Sequence, residues 1–475
     1  MHSEFGIRNE GARSVKSTTR KIGPIRRAQA IMISPRVWRP RLVFWAGALA
    51  IGLISVMFAR LADQAQAVFA WAIPAEGWRQ FIPLVVTPAG FVLCAWTAWH
   101  VFPGSQGSGI PQAIAARHLR DESEREQFLS IRIVIGKIIL TIAGLLCGAS
   151  IGREGPTVQV GAALMLQAAR IGRMTQARGL ILAGSAAGIA AAFNTPLAGI
   201  VFAIEEMGRS YQSRTNGVVL AAVIIAGLAS LGILGNYTYF GVSHATAYFP
   251  GDWPLVITCG VLGGAFGACF SLAVIRITRR IRRWKTDSPR SRVLIVAAAA
   301  GLIVAATGVA TGGLTFGTGY EQARSAVEGT PLPLSFFVAK FIATLASTVS
   351  GIPGGLFAPS LAVGAGVGST LGLAFGANAG LGAVMGMAGY FAGVVQAPMT
   401  AFVIILEMTG NHDNVIPLMA ASVLGYGTSR LISPEPLYHA LSRLFIADAL
   451  RRRRAEQIMV GTKAASPAAG PGADT

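Results

Sequence analysis

Charge is scarce in this sequence. Only 13% of its 475 residues are Asp, Glu, Lys or Arg, against about 25% in soluble domains. Acids are scarcer than bases, 21 to 40. This excludes an ordinary water-soluble enzyme or acidic binding module. Cysteine is rare as well. Cys94, Cys147, Cys259 and Cys269 all lie in apolar segments with no paired spacing, so they read as small packing residues and not as metal ligands. The six histidines are scattered without ligand spacing, and no nucleophile–base pair or phosphate loop is present. The sequence therefore predicts no enzyme, no cofactor and no metal.

Apolar sequence and glycine are what it has in quantity. The chain is 53% hydrophobic and holds 58 glycines, a frequency typical of membrane-spanning helices. Apolar stretches at 42–61, 84–101, 216–235, 255–275 and 293–312 each approach the ~20 residues that cross a bilayer. A multi-pass helical membrane protein is expected. The net charge of +19 sits in clusters that flank these spans: ten Lys/Arg in residues 1–41, eight in 276–292, and Arg451 to Arg454. Such clusters mark cytoplasmic segments and touch anionic lipid headgroups, and nucleic acid is not an expected partner. The basic start runs about 40 residues with no short apolar core, unlike a signal peptide. Residues 1–41 read as a retained cytoplasmic tail, and 446–475, ending in "KAASPAAGPGADT", as a disordered cytoplasmic tail.

Between the tails the chain repeats itself. Residues 136–164 and 339–367 align at a constant offset of 203, with ten of 29 positions identical. An offset of 202 then pairs Gly184 with Gly386, Pro196 with Pro398 and Glu205 with Glu407, and one of 210 pairs 107–109 with 317–319. Two membrane repeats are predicted, 42–236 and 253–445. Basic residues fall on opposite sides in the two: 276–292 carries eight against Arg79 alone near 66–82, while 117–132 carries four Arg against one in 321–335. The repeats are therefore inverted, a transporter plan that puts the substrate site near the membrane midplane between them.

Gly-Pro motifs interrupt the apolar runs at 104–111 (GSQGSGIP), 152–156 (GREGP) and 351–359 (GIPGGLFAP). Proline suits a first helical turn, so Pro111, Pro156 and Pro359 are expected to open helices. The glycines before them leave amide groups exposed at positive helix ends, which attract anions. Several such ends would bind an anion without a buried Lys or Arg, which would hold it too tightly for passage.

GSGIP at 107–111, GREGP at 152–156, GLFAP at 355–359 and the tyrosine of PLYHAL at 436–441 occur in this order. Together they resemble the CLC family of chloride channels and chloride/proton antiporters, a resemblance covering roughly residues 42–445. It implies an all-α polytopic membrane protein of two inverted-topology repeats with broken and re-entrant helices, assembled as a homodimer, with one anion path per subunit. It also implies that Ser108 and Tyr438 bind the anion through hydroxyls, and Leu356 and Phe357 through backbone amides. Glu154 corresponds to the gating glutamate that competes with chloride and carries protons, and Glu206 to the inner proton-transfer glutamate of the antiporter branch. The repeat agrees with both choices. Glu154 aligns with Phe357 and Glu206 with Met408, so each acid occurs in one half only, whereas Glu205 and Glu407 occupy equivalent positions and are expected to be structural.

A carboxyl out of bulk water is driven toward its neutral form, so Glu154 can alternate between occupying the anion site and releasing it. Arg153 is expected to orient the loop and raise the local anion concentration. Gln112, where the family often has an acid, is placed outside the pore. The expected function is chloride/proton antiport. The alternatives are a passive voltage- or proton-gated chloride channel of the same fold, or an exchanger for nitrate or fluoride. The expected partners are chloride, protons, membrane lipid and a second copy of the chain. The short loops and lack of regulatory domains point to a bacterial inner membrane with both termini cytoplasmic.

Overall fold

The computed structural model describes residues 35–74, 77–208, 213–284 and 289–465. Among them no strand forms, and extended pairing is limited to two isolated bridges. Helix is what a lipid-facing chain requires, because each backbone N–H and C=O must then find its partner within the chain. Eight of the described helical stretches are long and apolar enough to cross a bilayer, from Trp38–Ala72 to His412–Ile432. The protein is a multi-pass membrane protein.

The first half contains α1 (Pro35–Ala72), α2 (Pro83–His100), α3 (Ile110–His118), α4 (Glu122–Glu126), α5 (Ile131–Leu146), α6 (Glu154–Gly172), α7 (Ala177–Phe193), α8 (Pro196–Phe202) and α9 (Ser213–Leu234). The second contains α10 (Trp253–Arg283), α11 (Pro289–Ala310), α12 (Tyr320–Val327), α13 (Leu334–Val349), α14 (Phe357–Ala374), α15 (Ala379–Val395), α16 (Pro398–Thr409) and α17 (Val415–Ile432), followed by α18 (Leu437–Ala465). The starts of α5 to α8 and α13 to α16 differ by the same 203 or 202 residues as the sequence repeat. Local detail repeats too. Asn194 and Gln396 both end their helices in the left-handed region, each at φ 57°. Gly161 of α6 lies against Gly184 of α7, and Gly364 of α14 against Gly386 of α15, where a Cβ on Gly364 would sit 2.8 Å from the Gly386 carbonyl oxygen. Small residues thus let both helix pairs pack backbone to backbone.

The halves meet through self-complementary contacts, as a pseudo-two-fold requires. Gly152 and Gly355, equivalent at the offset of 203, exchange two backbone hydrogen bonds of 2.7 Å. Glu205 accepts from the amides of Met399 and Thr400 at 3.1 and 2.6 Å, capping α16. Glu407 accepts from Leu197 and Ala198 at 3.1 and 2.7 Å, capping α8. Each acid neutralises the positive end of the other half's helix. Replacing Glu205 or Glu407 by Ala is therefore expected to lower stability by about 0.5–2 kcal/mol without changing ion preference. Thermal unfolding of detergent-purified protein, together with ion flux, checks this.

Two boundaries differ from those the sequence predicts. Helix α1 has already begun at Pro35, inside the stretch assigned to the basic tail, because proline suits a first helical turn. Residues 1–34 lie outside the described residues. At the other end α18 runs to Ala465, through residues assigned to a disordered tail. Its Arg- and Ala-rich sequence favours helix, and Arg453 pairs with Asp121 at 2.7 Å and with Glu124 at 3.5 Å. Residues 466–475 lie outside the description.

Candidate functional site

The three interrupted motifs are far apart in sequence and hydrogen-bonded to one another in space. Gly107 donates to the Ile352 carbonyl at 3.1 Å, and Gly354 donates back to the Gly107 carbonyl at 3.2 Å. The Gly152–Gly355 pair joins the other two loops. Pro111, Pro156 and Pro359 all fall in the first turns of α3, α6 and α14, so three helix N-termini open beside one small region of backbone.

Local chemistry holds the GSGIP loop in shape. Gly107 and Gly109 have φ of 66° and 102°, values at which a side chain would be strained. Gln112 is fully buried. Its Oε1 accepts from the Gly109 amide at 3.1 Å, and its Nε2 donates to the Gln106 carbonyl. Lys137 Nζ, also fully buried, donates to the carbonyls of Ser105 and Gly107 at 2.6 and 2.8 Å. Lys340 holds the equivalent loop through Thr315 and Gly317, at 2.9 and 2.8 Å. Gln112, expected outside the pore, braces the loop that carries Ser108. The Lys137–Lys340 match is the available signal, and burial gives it meaning: each side-chain nitrogen donates to the carbonyls of the loop it secures.

Ser108, Tyr438, Leu356 and Phe357 come together here. Ser108 lies against Gly155, where a Cβ would approach its carbonyl oxygen to 2.8 Å. Tyr438 is fully buried at the start of α18. Its hydroxyl lies beside that of Ser108, its ring centroid is 6.0 Å from that of Phe357, and neither hydroxyl has a hydrogen-bond partner of normal geometry. The first amides of α14 have no intrahelical acceptor, and among the described residues nothing accepts from Leu356 or Phe357. Phe193, Phe202 and Phe391 surround the Phe357 ring at centroid distances of 6.3, 6.0 and 4.8 Å and fix where α14 begins.

Glu154 is fully buried. Its carboxyl folds back over Gly152, where any Cβ would overlap it. Its own amide and that of Ala358, in the first turn of α14, face the carboxyl, but neither carboxyl oxygen makes a hydrogen bond of normal geometry. Arg153 does not pair with it. The guanidinium donates to Asp63 at 2.8 Å and to the Ala59 carbonyl at 2.6 Å, and lies 5.9 Å from the Tyr239 ring centroid. These residues, with Gln66, Thr318 and Tyr320, line a cavity of about 740 Å³ leading to the GREGP loop.

Glu206 is buried, and the Tyr438 hydroxyl is within electrostatic reach of both Glu154 and Glu206. His439 Nε2 is 2.9 Å from the Glu206 carbonyl oxygen and 3.9 Å from its carboxylate. No ligand spacing singles out His439 among the histidines; it is placed by its position next to Tyr438. Residues Ala203–Gly208 widen from the preceding α8 into a π turn. Arg117 accounts for part of the change, because it takes the Met207 and Gly208 carbonyls at 2.6 and 3.4 Å. The two acids still diverge, with Glu205 on the α16 amides and Glu206 toward His439.

The arrangement is a buried concentration of N–H and O–H donors with a carboxyl at its edge. Such a site suits a small dehydrated anion. A family model described as voltage gated chloride channel matches residues 89–430. The chain belongs to the CLC family. It is 32% identical over 423 residues to the H(+)/Cl(-) exchange transporter ClcA of Yersinia pseudotuberculosis, with 82% of this chain and 84% of the relative covered. The same transporter of Klebsiella pneumoniae is 30% identical over 436 residues, covering 86% and 88%. Among solved structures, a slow cyanobacterial Cl-/H+ antiporter superposes with a TM-score of 0.71 at 23% identity, covering 86% of this chain and 98% of that one. A CLC-type fluoride/proton antiporter gives 0.69 at 22%, covering 84% and 96%.

Proposed function

We propose that this CLC protein exchanges chloride for protons across a bacterial inner membrane. The observation that carries the reading is the meeting of Glu154 with the α14 N-terminus: its carboxyl faces the Ala358 amide, in the same first turn whose Leu356 and Phe357 amides an anion would use. Ser108, Tyr438 and the amides of Leu356 and Phe357 bind chloride. Ionised, Glu154 fills the anion position itself. Once a proton neutralises the carboxyl, its hold on the positive helix end is lost and chloride enters. Protonation and chloride entry are therefore linked, and neither ion crosses independently of the other. Glu206, within electrostatic reach of the Tyr438 hydroxyl, receives protons from the cytoplasm. Arg153, held by Asp63, faces the cavity and favours anion approach. The exchanger relatives at about 30% identity support this reading.

Ser108 as a hydroxyl donor supports a small halide. Removing one neutral donor is worth about 1 kcal/mol, so Ser108→Ala is expected to weaken chloride binding about fivefold by isothermal titration. The protein is proposed to act as a homodimer. Exposed Leu220, Ile224, Leu228 and Leu231 on α9 and Ile416, Met419 and Val423 on α17 form apolar stripes that a second copy would cover. Light scattering in detergent should then give two chains per particle.

The test of coupling uses reconstituted vesicles. An outward chloride gradient, with the membrane potential clamped, is expected to drive protons uphill in the opposite direction. Chloride movement without proton movement would identify a passive channel. Nitrate or fluoride moving in preference to chloride would identify a different exchanger.

A further inference from the structure

The end of α10 lines a basic cavity that shares no residue with the surroundings of Ser108 and Tyr438. Arg276, Arg279, Arg280 and Arg283, with Ile281, Trp284 and Val296, line a cavity of about 830 Å³ between α10 and α11. The spacing of Arg276, Arg280 and Arg283 puts them on one helix face. All three are exposed, and among the described residues none has an acidic partner. Arg279 alone is paired, with Glu435 at 2.7 Å. Arg282, on another face, is bound to Asp448 of α18 at 2.6 Å and takes no part.

Helix α10 has 31 residues and so spans ~46 Å, well beyond the ~30 Å hydrocarbon layer. Its apolar run ends at Ile275, so Arg276 to Trp284 lie in the headgroup layer. Trp284 is 43% exposed, as suits an indole at a membrane interface. Four cations around an apolar-walled cavity at that depth match a phosphate with acyl chains attached. A freely soluble anion would meet the same arginines under full salt screening.

We propose that this cavity binds the headgroup of an anionic phospholipid. The lipid phosphate sits among Arg276, Arg280 and Arg283, and its chains follow Ile281 and Val296 into the bilayer. Basic pockets at the cytoplasmic ends of membrane helices bind such lipids. Through Arg279 the pocket also touches Glu435, three residues before Tyr438.

Native mass spectrometry of the delipidated full chain, titrated with phosphatidylglycerol or phosphatidylcholine, tests the proposal. Phosphatidylglycerol should bind at least about tenfold more tightly, and Arg276→Gln/Arg280→Gln/Arg283→Gln should remove that preference. Arg280→Gln alone should weaken binding severalfold, which keeps the test decisive should the triple variant fold poorly. A control with equal charge loss, Arg451→Gln/Arg452→Gln/Arg454→Gln, should retain the preference. Equal loss in pocket and control variants, or equal binding of the two lipids, would overturn the proposal. So would displacement of the lipid by inorganic phosphate at the same concentration, which would make the pocket a site for the free ion.

Discussion

Glu154→Ala is expected to abolish proton movement while chloride still crosses. In vesicles carrying a chloride gradient, proton flux should fall by at least about 100-fold, the usual scale for losing a positioned proton-transfer group. Chloride flux should remain within roughly an order of magnitude of the wild type and lose its pH dependence. The carboxyl is the only acid at the junction of α6 and α14 among the described residues, because its repeat equivalent is Phe357. With a methyl group in its place nothing competes for the α14 amides, so anions enter whatever the pH. Measuring both ions in the same vesicles separates this outcome from misfolding, which would stop both. Proton pumping at the wild-type rate would remove Glu154 from the mechanism.

Gly355→Ala is expected to slow both ions together. A Cβ at this position would lie 2.9 Å from the Gly155 nitrogen and 3.1 Å from both the Gly152 carbonyl oxygen and Pro156 Cδ. Two of these are backbone atoms and the third is a proline ring, so nothing there is a flexible side-chain end that could swing aside. The reciprocal hydrogen bonds between Gly152 and Gly355 would have to lengthen, pulling apart the two helix ends that form the anion site. Overpacking of this kind costs about 1–3 kcal/mol. Folded, membrane-inserted protein should still be recovered in reduced yield, with chloride flux cut by about tenfold or more. Wild-type flux of both ions from this variant would show that the close approach of the loops is not needed. Glu154→Ala removes a competitor and leaves the site, whereas Gly355→Ala disturbs the site itself.

Much of the architecture could be read from sequence because the repeat is written in residues that cannot drift. Gly161, Gly184, Gly364 and Gly386 permit backbone contact, and Pro156 and Pro359 open helices, so both patterns survive in the alignment. The two repeat-related glutamates, Glu205 and Glu407, are likewise placed by their matching positions. The rest depends on encounters between distant residues of low local distinctiveness. Nothing near Asp63 in the sequence points to Arg153, 90 residues later, and nothing near Gln66 points to Thr318, to which it is bonded at 2.8 and 2.9 Å. His439 takes its place from the fold that brings the start of α18 against the π turn at Glu206, not from any spacing of its own. The π turn at Ala203–Gly208 draws in part on Arg117 of α3, which is 90 residues from the Met207 carbonyl it holds. The continuation of α18 was obscured because a run of arginines reads as a solvated tail until its acidic partners, Asp121 and Glu124, are in view.

The most direct measurement is anomalous diffraction from crystals of Glu154→Gln grown in bromide. The account predicts a bromide peak in the space bounded by the Ser108 and Tyr438 hydroxyls and the amides of Leu356 and Phe357, at hydrogen-bonding distances of roughly 3–3.5 Å. Bromide bound only against Arg153 and Asp63 in the outer cavity, with that inner space empty, would contradict it.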